Sequence, residues 1–165
     1  MSIMKNKKGL IMGVANERSI AWGIAKTLAD NGAELAFSYQ NESFKKRLIP
    51  LISTVKSNKY FECDVSKSAN EINSIENMFK KLSKVWSEID FIVHALAYSD
   101  KEELKGKYIN CSRENFLNSL DISAFSFTRI AKSSFPLMSL KGGSLLTLSY
   151  LGAERTTPNY NVMGV

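Results

Sequence analysis

A doubly wound parallel α/β sheet is the fold class that this sequence predicts, and two observations predict it. Short apolar runs alternate with amphipathic stretches from one end of the chain to the other, the pattern of parallel strands joined by crossover helices. The first run also ends at a glycine, Gly13, in a turn that opens onto a helical stretch. No internal repeat or low-complexity linker interrupts the alternation, so residues 1–165 are read as one domain.

The elements follow in order. Gly9 to Gly13 is a short strand of the buried type, and Ser19 to Asn31 places Ile20, Ala21, Ile24, Ala25 and Leu28 on one helical face. Ser19 is the candidate N-cap and Gly32 stands just past the end of that helix. Glu34 to Tyr39 is a second strand, followed by a helix from Asn41 to about Lys56 with Phe44, Leu48, Leu51 and Val55 inward and a kink expected at Pro50. Lys59 to Cys63 is a third strand. Asn70 to Trp86 carries Ile72, Ile75, Met78, Phe79, Leu82 and Trp86 at helical spacing, a core stripe rather than a ligand box. Asp90 to Ala95 is a fourth strand, then a polar loop runs to about Tyr108. Arg113 to Met138 reads as one long helix with Phe116, Leu120, Phe127 and Ile130 inward, ending near Pro136, and Ser144 to Ser149 as a fifth strand. The expected spatial order of the strands is 3-2-1-4-5, with ligands at their carboxyl ends, at the switch between strands 1 and 4.

Composition narrows the function classes. Hydrophobic residues make up 44% and charged residues 23%, values of a globular chain with no membrane-spanning run. Lys5, Lys7 and Lys8 precede an apolar stretch broken at Gly13, too short for a signal-peptide core, so a cytoplasmic location is expected. Cys63 and Cys111 have no metal-type spacing and suit a reducing compartment. The net charge of +6 comes from lysines dispersed at helix-surface and loop spacings (Lys45, Lys46, Lys80, Lys81, Lys84, Lys105 and Lys107), which read as solvated faces rather than a nucleic-acid surface.

Four strand ends carry candidate chemistry. The turn Gly13-Val-Ala-Asn-Glu-Arg-Ser19-Ile20 lets the backbone approach a pyrophosphate at the start of a helix, although the strict Gly-x-Gly-x-x-Gly fingerprint is absent. Strand 2 ends in Tyr39-Gln40, where many dinucleotide folds put a carboxylate on the adenosine ribose; an amide there does not repel a 2′-phosphate, so the residues leave NADPH open. Strand 3 ends in Asp64-Val65 and strand 4 in His94-Ala95-Leu96-Ala97-Tyr98-Ser99. His94 is the sole histidine, and a lone histidine closing a buried strand reads as hydrogen-bonded structure, with no catalytic role assigned. Tyr150 and Tyr160 close the series, ten residues apart.

The string Tyr150-Leu-Gly-Ala-Glu-Arg-Thr-Thr-Pro-Asn-Tyr160-Asn-Val-Met-Gly resembles the active-site stretch of the bacterial enoyl-(acyl carrier protein) reductases, a branch of the short-chain dehydrogenase/reductase superfamily. The turn from Gly13 through Ser19-Ile20-Ala-Trp-Gly-Ile-Ala and the strand-4 end resemble the same family, with Ala97 standing where some members have glycine. The resemblance implies a Rossmann-like fold and the last reduction of type II fatty acid elongation, from NADH to the C=C of a trans-2-enoyl thioester. It implies Tyr150 and Tyr160 as catalytic, Tyr160 facing the enolate oxygen. Gly13, Ser19, Ile20, Gln40, Asp64, Val65 and Leu96 would hold the cofactor, with Gln40 favouring NADH, and the backbone at Ser99 would face the acyl thioester. No metal is implied. The partners implied are an acyl carrier protein bearing the enoyl group and, for a full-length member, a homotetramer; nucleic acid and membrane are not expected.

In this family a lysine follows the second tyrosine by seven residues, a place two positions past Val165. The resemblance therefore implies five strands present with the C-terminal part missing, and strand 5, with Leu145, Leu146 and Leu148, as an exposed apolar edge. A non-catalytic cofactor-binding remnant stays open as the alternative function. A carbonyl reductase is a poorer third, because its Asn-Asn-Ala-Gly and serine signals are absent.

Overall fold

The structure, a computed structural model, describes residues 2–138 and 140–165. Five parallel strands, β1 (Lys8–Met12), β2 (Glu34–Tyr39), β3 (Tyr60–Glu62), β4 (Phe91–His94) and β5 (Ser144–Thr147), form one sheet in the order β3-β2-β1-β4-β5. This is the order expected from the sequence. The register sets Leu10 beside Ala36 on one side and Ile92 on the other.

Alternation along the strands sends side chains to two cores. Leu10, Met12, Ala36 and Ile92 face α3 (Ile75–Leu82) and α5 (Ser126–Ser134), packing with Met78, Phe79, Leu82 and Ile130. Ile11, Phe37, Phe91 and Val93 face α1 (Ile20–Asp30) and α2 (Glu42–Thr54), packing with Trp22, Ala25, Leu48 and Ile52. Each fully buried aliphatic side chain contributes roughly 2 kcal/mol of transfer free energy. Covering both faces is what allows an all-parallel sheet.

Local chemistry sets most helix ends. Gly32, with φ +93°, stops α1: its N–H donates to Ala29 O, and Ala33 N–H reaches back to Leu28 O. The Asn41 side chain caps α2 by accepting from the N–H groups of Ser43 and Phe44, and α2 runs on through Pro50.

Two helices differ from expectation. The periodic stretch from Asn70 yields a helix only from Ile75, because Ser74 caps it by accepting from Asn77 N–H. Residues before the cap turn instead, and Ile72, expected inward, is 80% exposed. Trp86 lies beyond the helix yet stays buried. The long helix is three pieces: α4 (Arg113–Leu120), a π-helical segment at Asp121–Phe125, and α5, which passes into a 3₁₀ turn at Phe135–Leu137. Its buried positions are Asn115, Ser119, Ser126, Ile130, Ser134 and Leu137, whereas Phe116, Leu120 and Phe127 are only half-buried. The wider π turn rotates the later residues relative to a uniform helical period. Ile20 also departs from its expected face and is 70% exposed.

The amino edge of the sheet is held by Asp90. Its carboxylate accepts from Lys7 Nζ at 2.7 Å and Lys8 N–H at 2.8 Å, while its backbone bonds Lys8 O and Ser144 N–H. One residue thus fixes the starts of β1, β4 and β5. Burial raises the Asp90 carboxyl, but the bonds from Lys7 and Lys8 outweigh it and hold the group below 3.8. A depressed carboxylate stabilises the fold above its unfolded-state pKa, and that contribution is lost as pH falls through the folded value. Asp90→Asn is therefore expected to cost about 2 kcal/mol near neutral pH. Urea unfolding should show the gap to wild type narrowing below about pH 4.

Candidate functional site

The ends of β1, β2, β3 and β4 surround a cavity of about 590 Å³. Gly13, Gln40, Asp64, Val65 and Leu96 line it, so five of the expected cofactor residues converge there. Ser38, Cys63, Tyr98 and Ile122 complete much of the wall. The volume falls within the range of small-molecule and cofactor sites.

Gly13 makes the inner edge. Its φ is +97°, and a Cβ on it would run into the carbonyl of Ala95. Only glycine lets β1 turn there while the chain leaving β4 passes close by. Ser19 acts differently from its expected role as a side-chain cap. Its hydroxyl accepts from Ala15 N–H and Asn16 N–H, both at 3.0 Å, and so closes the 13–19 turn on itself. Neither Ser19 nor Ile20 lines the cavity.

At the opposite side, Gln40 Nε2 donates to Asp64 Oδ2 at 3.2 Å, while Asp64 Oδ1 accepts from the N–H and the hydroxyl of Ser66. Burial pushes the Asp64 carboxyl up, but Ser66 and then Gln40 pull it further down, so it titrates below the ordinary carboxylate value. Because a carboxylate only accepts, it fixes the Gln40 amide nitrogen toward itself and leaves the amide oxygen as the free acceptor. Burial drives the Cys63 thiol up to about 12, with Asp64 adding to the shift, so Cys63 is a neutral wall residue rather than a nucleophile.

Ser99 is not in the cavity wall. Its side chain is held by Asn115, whose amide oxygen also accepts from Asp100 N–H at 2.8 Å and from Ser119. Beside it, the Ser123 hydroxyl accepts from Tyr98 N–H and donates to Tyr98 O. These anchors have little signature in the sequence. The one available signal is polar or small residues at 115, 119, 126 and 134, whose spacing hides behind the louder Phe116, Leu120 and Phe127.

Tyr150 and Tyr160 are brought together, with ring centroids 5.0 Å apart and planes tilted by 37°. A Cβ at residue 152 would strike the Tyr150 ring, so Gly152 permits the approach. Burial and then the neighbouring Tyr160 raise the Tyr150 phenol, which keeps it neutral. Tyr160 lines a separate hollow of about 400 Å³ with Tyr108 and Asn161. Asn161 Nδ2 donates to Glu103 O and Lys105 O, tying the Tyr160 segment to the loop after β4.

His94 is structural, as the sequence suggested. It is fully buried between Thr147 Oγ1 at 2.9 Å and Ser126 Oγ at 2.8 Å. Because the Ser126 hydroxyl donates to Ile122 O, it must accept from the ring, which places the proton on Nε2 and leaves Nδ1 to accept from Thr147.

A doubly wound parallel sheet with a glycine-edged cavity at its switch point is the Rossmann-like class of α/β fold. The chain belongs to the enoyl-(acyl carrier protein) reductase family, whose profile matches residues 13–165. It is 52% identical over 163 residues to an enoyl-(acyl carrier protein) reductase [NADH] of Rhizobium meliloti, covering 99% of this chain and 59% of the relative. The crystal structure of FabI from Candidatus Liberibacter asiaticus superposes with a TM-score of 0.93 at 49% identity, covering 99% of this chain and 62% of that one. The enzyme of Anaplasma phagocytophilum, crystallised in complex with NAD, gives 0.91 at 53% identity over 98% of this chain and 60% of its own. The chain thus spans about three fifths of the length of these relatives.

Burial lowers the His94 pKa below 6.5. A base depressed on folding costs stability where the unfolded chain takes up the proton, so the His94 contribution is constant above about pH 6.5 and becomes destabilising below it. With a single histidine in the chain, imidazole NMR is unambiguous. The expected result is a neutral Nε2–H tautomer with no titration step near 6.5; a midpoint at that value would contradict the assignment.

Proposed function

We propose that these residues form the cofactor-binding part and the tyrosine pair of an NADH-dependent enoyl-(acyl carrier protein) reductase acting in the cytoplasm on trans-2-enoyl thioesters. The observation that carries the reading is the convergence of Gly13, Gln40, Asp64, Val65 and Leu96 on one cavity at the switch point. The names of the relatives support the same substrate class and cofactor.

The residues fit a dinucleotide. Gly13 lets the chain leaving β4 pass close at the inner edge of the cavity, and the first N–H groups of α1, at its amino end, are the donors a diphosphate would meet. The free Gln40 oxygen accepts from a ribose 2′-hydroxyl and faces a 2′-phosphate as one acceptor against another, which favours NADH over NADPH. NADH, when bound, supplies a hydride at its nicotinamide C4. Tyr160 donates its phenolic proton in a hydrogen bond to the thioester oxygen, where negative charge collects as the enolate forms. Tyr150 packs against Tyr160 and fixes the ring that donates. Ser99, held by Asn115, positions the loop on which the acyl group lies.

Calorimetry with NADH and NADPH tests the cofactor reading. NADH should bind more tightly, and Asp64→Ala, which releases the Gln40 amide, should reduce the heat while circular dichroism stays unchanged; equal heats for the two proteins would refute it. For the reaction, the chain joined to the carboxyl-terminal two fifths of the Rhizobium meliloti relative is expected to oxidise NADH with crotonyl thioesters. Tyr160→Phe in that chimera should lower kcat about 100-fold. Full activity of the variant would remove Tyr160 from the proposal.

A further inference from the structure

We propose that Arg129 is a positioning residue for the adenosine end of the cofactor cavity, acting through the turn that follows β3. The inference rests on the dinucleotide reading above. Arg129 stands on α5 and reaches past α3 to the other side of the site. Its Nη1 donates to Val65 O at 2.8 Å and its Nη2 to Lys67 O at 2.7 Å. The Glu76 carboxylate takes Nη2 at 3.0 Å and 3.2 Å and Nε at 3.4 Å. The two side chains are only 17% and 28% exposed.

The two carbonyls belong to the turn whose first residue, Asp64, holds Gln40, and whose second, Val65, forms the cavity wall. A guanidinium is a rigid planar fork, so it fixes the spacing of two acceptors at once; an ammonium is a point donor and cannot. Glu76 neutralises the charge and lets the fork sit half out of water. The same helical rod carries Ile122, seven residues before Arg129 and in the wall of the same cavity. Arg129 therefore sets the distance between the wall formed by Ile122 and the wall formed by Val65. Other bonds of the turn among the described residues, such as Asp64 N–H to Asn73 O, Lys67 N–H to Asp64 O and the Lys67–Glu71 ion pair, do not tie it to α5.

The test compares the 165-residue chain with Arg129→Lys and Glu76→Gln, by calorimetry with ADP-ribose and by amide hydrogen exchange. Arg129→Lys is expected to weaken ADP-ribose about tenfold, the scale of one lost charge-assisted hydrogen bond. Exchange at Ser66 and Lys67 should rise while the amides of β1 and β4 keep their protection. Glu76→Gln keeps both bonds to the turn and should lose clearly less affinity. Unchanged ADP-ribose binding in Arg129→Lys would overturn the inference and leave the cofactor reading intact. Equal losses in both variants with faster exchange across the sheet, or a lysine variant too unstable to purify, would make Arg129 an ordinary fold-supporting ion pair and overturn it as well. A wild-type chain that takes up no ADP-ribose would overturn the cofactor reading and this inference together.

Discussion

The carboxyl ends of the strands are loops, and loops keep a shape only where something outside them satisfies their polar groups. Here that role falls to one helical rod, α4 through α5. Asn115 holds Ser99 and Asp100, Ser123 brackets Tyr98, Ser126 meets His94, and Arg129 grips the carbonyls of Val65 and Lys67. The rod is attached by side-chain hydrogen bonds as much as by apolar packing, which explains why its buried stripe is mostly Asn and Ser. The π turn at Asp121–Phe125 lies in the middle of these anchors and brings Ile122 to the cavity.

Electrostatics in this region is arranged by pairing rather than by net charge. The excess of lysines is dispersed over the surface, while three partly buried carboxylates are each matched: Asp90 with Lys7, Glu76 with Arg129, and Asp64 with the donors Ser66 and Gln40. Asp64 differs from the others because, among the described residues, it makes no direct ion pair and feels Lys67 only as a weaker, more distant charge. Its charge persists on the bonds from Ser66 and Gln40, and it therefore dictates the orientation of the amide that faces the cavity. Cys63 and His94 illustrate the opposite outcome, in which burial is the dominant effect and leaves a neutral group.

The two tyrosines occupy a different physical setting from the cavity. Tyr150 and Tyr160 stack on a segment of short 3₁₀ turns, 37% and 43% exposed, and their link to the rest of the site runs through Asn161 and the loop at Glu103. Glu103 in turn accepts from Ser112, the cap of α4. The rod that holds the cavity side thus also receives the tyrosine side, at its amino end. β5 runs along the edge of the sheet with Leu146, and Leu148 just past its end, open to solvent as expected, whereas Leu145 packs against the core.

Strand order, the two apolar faces and the Gly13 turn were legible in the sequence because each depends on residues close together in the chain. A period of two or of 3.6, a glycine where φ turns positive, and an Asn before a helix are local facts. Gly13, Gln40, Asp64, Val65 and Leu96 were recognisable as strand-end residues for the same reason. Where local signals competed, the sequence misled: the apolar period promised a helix from Asn70, and the Ser74 cap delayed it; Phe116, Leu120 and Phe127 promised an inward face that the fold leaves half-buried, one residue off the buried Asn115, Ser119 and Ser126. What only the tertiary structure decided is how the strand ends are held. The bonds from Asn115 to Ser99, from Ser126 to His94 and from Arg129 to Val65 span 16, 32 and 64 residues. Such pairings carry no periodic trace, because a hydrogen bond needs only two complementary atoms brought within reach, and it is the packing of α5 on α3 and the sheet that brings them there.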